Sequence, residues 1–372
     1  MITQYPVRTI DLAILRENVR LIRDSLPQKT MLMAVVKADA YGHGIVPVAK
    51  NALCAGASWL AVARTDEGII LREAGIQVPI LVLGAASGPE IGEGVKFDLT
   101  LTVTDPRMVY AVQRHASAQG KRGFIHMKLD TGMGRIGVRT EEEVQEVISA
   151  VTACPHTELT GVFTHFADAD GDTDGYTIMQ LERFHRLTTS LPESIIRHCA
   201  NSAAIHRHPD AVFDMVRVGI SMYGYPPVNT SLPIRPVMDW RTAVTYVKTI
   251  HPGEKVSYGC TFTADSEMKI ATVACGYGDG YHRCASGKAE VIIHGVRCRV
   301  IGRICMDQMM VDATGVEAVY PGDEAILIGK DGNEVITAEE LGSWSNTISY
   351  EVLLAATERV HRRWIHDCDD QA

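Results

Sequence analysis

Between residues 31 and 225, eight short apolar runs recur, separated by polar and amphipathic stretches. That periodicity limits the chain to very few folds. The runs are MLMAVVK (31–37), SWLAVA (58–63), PILVLG (79–84), DLTLTV (98–103), GFIHMKL (123–129), TGVFTH (160–165), SIIRHC (194–199) and MVRVG (215–219). Most are continuous rather than alternating, the pattern of strands buried on both faces. Asp105 to Gln119 and Thr140 to Ala153 carry helical patterning between them. Eight strand–helix units predict a (β/α)8 TIM-like barrel or a doubly wound sheet, and the count favours the barrel. It is expected to occupy residues 1–233. From about Val237 the texture changes to short alternating strands (TAVTYVKTI, KIATVAC, AEVIIH, RCRVIGRI, EAILIG) broken by Gly, Pro and Asp turns. A β-rich C-terminal domain is expected over 234–372, with helices near 337–357. The opening segment Tyr5 to Thr9 is expected to join it as an extra strand.

A barrel places its chemistry at the C-terminal ends of its strands. The unusual polar residues fall there: Lys37 after strand one, Lys128 and Asp130 after strand five, His165 after strand six, Asn201 and Ser202 after strand seven. Arg217 lies on strand eight, with Gly219 and Ile220 behind it. A lysine at the mouth of a buried strand loses hydration, which disfavours its charged form and frees an amine able to attack a carbonyl. Taken alone, such a lysine is ordinarily a surface cap. The loops after strands seven and eight often hold a phosphate, and Ser202 with the N–H groups of Gly219 and Ile220 could do so.

The chain of 372 residues suits two domains with large cores. Its charge of 36 − 45 = −9 argues against nucleic acid or an anionic membrane as partner. The basic run Arg359 to Arg363 reads as a solvated helix face. Nine cysteines without a CxxC pair suit free thiols in a reducing, cytoplasmic setting. The N-terminus shows no signal-peptide pattern, and no apolar stretch reaches membrane-spanning length.

Eight motifs lie in order along the chain: AVVKADAYGHG (34–44), KLDTGMGRIG (128–137), THFADAD (164–170), MVRVGISMYG (215–224), VSYG (256–259), GYGDGYHR (276–283), GRICMDQ (302–308) and SYEV (349–352). Together they resemble the alanine racemase family. The resemblance implies a barrel plus β-domain, pyridoxal 5′-phosphate as cofactor, and a homodimer with active sites shared between subunits. It implies interconversion of L- and D-alanine, supplying D-alanine for peptidoglycan.

Racemisation needs a base on each face of a planar intermediate. Lys37 matches the lysine that holds the aldehyde and then serves the D-enantiomer. Tyr258 matches the opposing base, contributed by the other subunit and linked through His165 to Arg217. Free tyrosine is a poor base near pH 7, so it needs such a cationic chain. Arg217 matches the arginine facing the pyridine nitrogen. Because it does not release a proton, the ring nitrogen stays unprotonated and leakage into transamination is limited. Without that role, Arg217 would be a buried ion pair needing an anion. Arg135 matches a residue contacting the phenolic oxygen and the substrate carboxylate, and Lys128 a lysine that some relatives carbamylate. Tyr41, Ser202, Gly219, Ile220 and Tyr350 would hold the phosphate, with Asn201 beside them. Met306 matches a backbone donor to the substrate carboxylate. Tyr277, Arg283, Arg303, Asp307 and Tyr350 match the entry passage. Gly278, His282 and His361 stand where the family pattern has Ala, Pro and Pro; the first two are expected to loosen the entrance.

A serine or broad-specificity racemase is the nearest alternative. A decarboxylase on the same architecture would need an acidic partner where this chain has Arg217. A non-catalytic pyridoxal-phosphate carrier would lack the second domain and Tyr258. Asp130-Thr131-Gly132 is a single copy, and an aspartic protease needs paired carboxylates. Asp170 to Gly175 copies the start of an EF-hand loop, but the required glutamate falls one residue late, at Glu182. GxGxG at Gly276 lies in a β context and makes no dinucleotide site. His294, Cys298 and Cys305 lack zinc-ligand spacing. No metal is expected.

Overall fold

Eight parallel strands form one sheet, Met31–Val35, Trp59–Val62, Ile80–Ala85, Thr100–Val103, Gly123–Lys128, Thr157–Phe163, Ile196–His198 and Met215–Val218. The first seven neighbour one another in chain order, and the eighth returns to pair with the first, Met31 opposite Met215. Arg217 N–H donates to Ala200 O at 3.0 Å, which joins the eighth strand to the end of the seventh and closes the barrel. Three of the eight strands, Trp59–Val62, Thr100–Val103 and Met215–Val218, are buried at every residue, which is why they read as continuous apolar runs. The computed structural model describes residues 6–368.

The intervening helices follow their sequence signals. Asp105 caps Pro106–Ala118 by accepting from the N–H groups of Arg107 and Met108, and Val109, Val112 and Ala116 form its buried stripe. Thr140 and Glu143 make a reciprocal capping box on Glu141–Thr152, whose Val144, Val147 and Ala150 are buried. Each large aliphatic side chain buried this way contributes about 1.5–3 kcal/mol.

Residues 14–40 and 44–235 make up this barrel unit. The second unit comprises the segment up to Ala13, Tyr41–His43 and the chain from Pro236. Its nine-stranded sheet is built mainly of antiparallel pairs around the long strand Met238–Ile250. Val7–Asp11 pairs antiparallel with that strand and parallel with His361–Ile365. Of the expected Tyr5 to Thr9 strand, Tyr5 lies outside the described residues. The basic run at 359–363 is not a helix face: its last three residues open the strand His361–Ile365. His361 N–H donates to Pro6 O at 3.0 Å, a bond that proline could not make. Met309–Asp312, unmarked in the sequence reading, pairs with Met268–Val273. Two short helices, Ala338–Ser345 and Ser349–Ala355, complete the unit.

Candidate active site

The first barrel strand ends at Val35, and Lys37 begins a turn rather than closing the strand. Ala38, Asp39, Ala40 and Tyr41 all have φ between 50° and 54°, a left-handed turn without a glycine. Non-glycine residues resist that conformation, so the surroundings must hold it. The Glu67 carboxylate accepts from Ala38 N–H at 2.5 Å and from Ala63 N–H at 2.7 Å. Asp39 Oδ1 accepts from Ile45 N–H at 2.8 Å. Lys37 is half-buried. Desolvation, then the charge of Arg135, hold its amine below the usual lysine range; Glu67 pulls the other way, and Arg217 adds a smaller downward push.

Arg217 is fully buried in the barrel. Its NH1 donates to His198 O (3.1 Å) and meets His198 Nδ1 (3.0 Å). Its NH2 donates to Thr164 O (2.8 Å) and Cys199 O (3.0 Å) and meets His165 Nδ1 (3.2 Å). These acceptors are all neutral, so among the described residues the buried ion pair that would explain this arginine otherwise is not made. Burial draws its pKa down to about 10, which leaves it cationic at neutral pH. His198 passes the contact on, its Nε2 lying 3.0 Å from His126 Nδ1. Burial and Arg217 push His126 down to about 3 and His165 and His198 well below the histidine range, so all three are neutral. Lys128 is also buried and donates to Leu129 O at 2.6 Å. Desolvation first, then Arg217, push it down to about 7. Arg135 is exposed, yet its charge reaches Lys37, Lys128, His165 and Arg217.

Asn201 caps the helix Ser202–Arg207 by accepting from Ala204 N–H at 3.0 Å. Ser202 Oγ is buried and accepts from Gly219 N–H at 3.0 Å, with Ser221 N–H at 3.5 Å. Ser221 Oγ is buried beside it without a partner. Ile220 opens the turn Ile220–Tyr223 and is buried. A buried hydroxyl with a proton to donate, beside the backbone turn at Gly219 to Ser221, suits a ligand that carries acceptor oxygens. These residues therefore fit a phosphorylated cofactor.

The second unit holds the other predicted residues. Tyr41 and Tyr350 lie with ring centroids 6.0 Å apart, and burial pushes the Tyr41 phenol upward. Tyr258, Tyr277 and Met306 are exposed, Tyr258 most of all at 69%. The segment 302–307 links them. Tyr277 N–H donates to Cys305 O at 3.0 Å, and Gly278 N–H to Met306 O at 2.8 Å. Arg359 bridges Asp279 at 3.2 Å and Asp307 at 2.8 Å. A Cβ at Gly278 would lie 2.5 Å from the Arg359 guanidinium, so this position is filled rather than loosened. Arg283 is exposed on the turn Arg283–Ala285. His282 Nε2 is buried without a partner. The sequence reading missed Glu67, His126 and His198 as parts of the site. Only the strand-end position of His198 could have flagged any of them, since His126 lies within its strand.

Among the described residues no group of three His, Cys, Asp or Glu is arranged to hold a metal ion. In the Asp170 to Gly175 loop, Asp174 pairs instead with Arg207 at 2.8 Å. The described cysteines are all free, and no described helix is long and apolar enough to cross a membrane.

Family models for the alanine racemase N-terminal and C-terminal domains match residues 10–227 and 237–364. An alanine racemase of Desulforamulus reducens is 44% identical, over 96% of this chain and 98% of that protein. The solved alanine racemase of Clostridium difficile 630 superposes with a TM-score of 0.92 at 40% identity, covering 98% of this chain and 97% of that one. A histidine racemase of Leuconostoc mesenteroides superposes at 0.90 with 26% identity, covering 98% and 99%, so the fold alone does not set the substrate.

Proposed function

The chain belongs to the alanine racemase family, and on that premise we propose that it interconverts L- and D-alanine through two bases, Lys37 and Tyr258. One observation carries the reading: an amine at the C-terminal end of the first barrel strand whose charged form is disfavoured by burial and by Arg135 and Arg217. The family is pyridoxal-phosphate-dependent, and the cofactor, when bound, takes up the charge that develops as the substrate α-carbon loses its proton. Lys37 would hold its aldehyde. Ser202, Ser221, Gly219, Ile220, Tyr41 and Tyr350 would hold its phosphate, with Asn201 fixing the helix that carries Ser202. Arg217 would face its ring nitrogen and keep that nitrogen unprotonated.

Lys37 Nζ takes and returns the proton of the D-enantiomer. Tyr258 Oη does so for the L-enantiomer, from the second subunit of a homodimer. The exposure of Tyr258, Tyr277 and Met306 supports this, because aromatic and methionine side chains of one surface are the kind that an interface covers. Met306 N–H and Arg135 orient the substrate carboxylate. Among the described residues Arg135 makes no side-chain hydrogen bond or ion pair, which leaves it available. A carbamate on Lys128 would hold it. Tyr277, Arg283, Arg303 and Asp307 line the approach, and the Arg359 bridge keeps that approach narrow, which favours alanine over larger amino acids. The setting is the cytoplasm and the product serves peptidoglycan.

Proton NMR of the cofactor-loaded protein with L-alanine in D2O tests the proposal, with the product resolved on a chiral column. Loss of the α-proton signal together with D-alanine formation is expected. Tyr258→Phe should retain the cofactor and lose racemisation by about 10²-fold or more. No α-exchange with alanine in the parent would refute the reading, and exchange with serine alone would move it to the serine alternative.

A further inference from the structure

Tyr258 stands on a five-residue connection between two short paired strands, Lys255–Val256 and Phe262–Thr263. The residue before it, Ser257, has φ 66° and ψ −178°. That region is essentially reserved for glycine. Cys260, two residues beyond Tyr258, also has a positive φ of 50°. A strand end needs neither feature, so something must hold the turn in place. Ser257 Oγ donates to Arg303 O at 2.5 Å and lies 3.5 Å from Cys305 Sγ. Gly302, at φ 68°, permits this approach, since a Cβ there would come within 2.7 Å of Val256 O and 2.8 Å of Ser257 Cβ. The Arg303 guanidinium lies against Gly259, 3.0 Å from where a Cβ would be. The same segment continues into Cys305 and Met306, whose carbonyls receive Tyr277 and Gly278.

We propose that Ser257 is a positioning residue, whose hydroxyl clamps the Tyr258 turn to the 302–306 segment. The clamp fixes the phenol of Tyr258 in register with the Met306 N–H. One group meets the α-proton and the other the carboxylate of the same substrate, so their mutual placement decides how well the base is aimed. The inference rests on the assignment of Tyr258 as a base. Alanine at 257 keeps the unfavourable backbone and loses the bond that holds it. Glycine loses the bond but adopts the conformation freely.

The test uses the holoenzyme with α-deuterated L- and D-alanine, alongside amide hydrogen exchange. Ser257→Ala should lower turnover about tenfold, with kcat/KM falling equally in both directions because the enantiomers are isoenergetic. The primary isotope effect should rise for L-alanine and fall for D-alanine, as transfer at Tyr258 becomes the slow step. A general loss of packing would not split the two. Peptides covering 256–262 and 302–306 should exchange faster, with cofactor absorbance unchanged. Ser257→Gly should show the same split with a smaller loss, and carries the test if the alanine variant does not fold. Unchanged turnover, or a loss without the split in isotope effects, would overturn the clamp while leaving the two-base reading intact. A parent that does not racemise alanine at all would take both down together.

Discussion

Lys128 gives the sharpest stability prediction. It is 2% exposed, with one hydrogen bond to Leu129 O and its ammonium 5.5 Å from the Phe163 ring centroid. Desolvation and Arg217 bring its ionisation to about 7, against 10.5 for a free lysine. Between those values the unfolded chain binds the extra proton, so stability rises with pH from about 7 to about 10.5 and the penalty is complete below 7. At pH 7 it amounts to about 4 kcal/mol. Lys128→Met keeps most of the volume and removes the charge. In CO2-free buffer it should melt higher than the parent, by about 9 °C for a unit of roughly 220 residues. The gain should shrink to nothing as pH approaches 10.5. Bicarbonate should then raise the midpoint of the parent alone. Addition of CO2 to the neutral amine releases a proton and leaves an anion among Arg135 and Arg217. Differential scanning fluorimetry across the pH range, with and without bicarbonate, reads all three effects. A midpoint difference that is flat with pH, or a bicarbonate response shared by both proteins, would refute the reasoning.

Two further outcomes are expected. Lys37→Ala should abolish the absorbance of lysine-linked cofactor and lower racemisation by about 10³-fold, as measured by absorption spectroscopy and chiral assay. Gly161→Ala would place a Cβ 2.5 Å from the ring of buried His126, with no flexible end to yield, and should destabilise the barrel by about 1–3 kcal/mol in thermal melting.

What the sequence made legible was periodic. The eight barrel strands and the capped helices announced themselves because each rests on its own neighbours: a buried run, a capping box, a stripe at helical spacing. The strand His361–Ile365 did not, because its partner Val7–Asp11 lies at the other end of the chain and its own residues are mostly polar. His126 and His198 stayed hidden for a related reason. A histidine inside an apolar run reads as packing until its partner is known: His198 meets Arg217, 19 positions away (217 − 198), and His126 meets His198, 72 positions away (198 − 126). Glu67 is by position a first-turn acid of the helix Thr65–Glu73, yet it braces the turn after Lys37.

The backbone around the two proposed bases was the least legible feature. Ala38 to Tyr41 after Lys37, and Ser257 and Cys260 around Tyr258, carry positive φ without glycine. Pattern reading assigns such residues to helix or strand, because their side chains favour those regions. The conformations persist only where the surroundings over-determine them. Glu67 and Asp39 do so at one base, and the Arg303 carbonyl at the other. Local preference and final conformation therefore disagree at the two places where a proton has to be moved with directional precision. Agreement elsewhere in the chain is what allows the fold to sustain that disagreement.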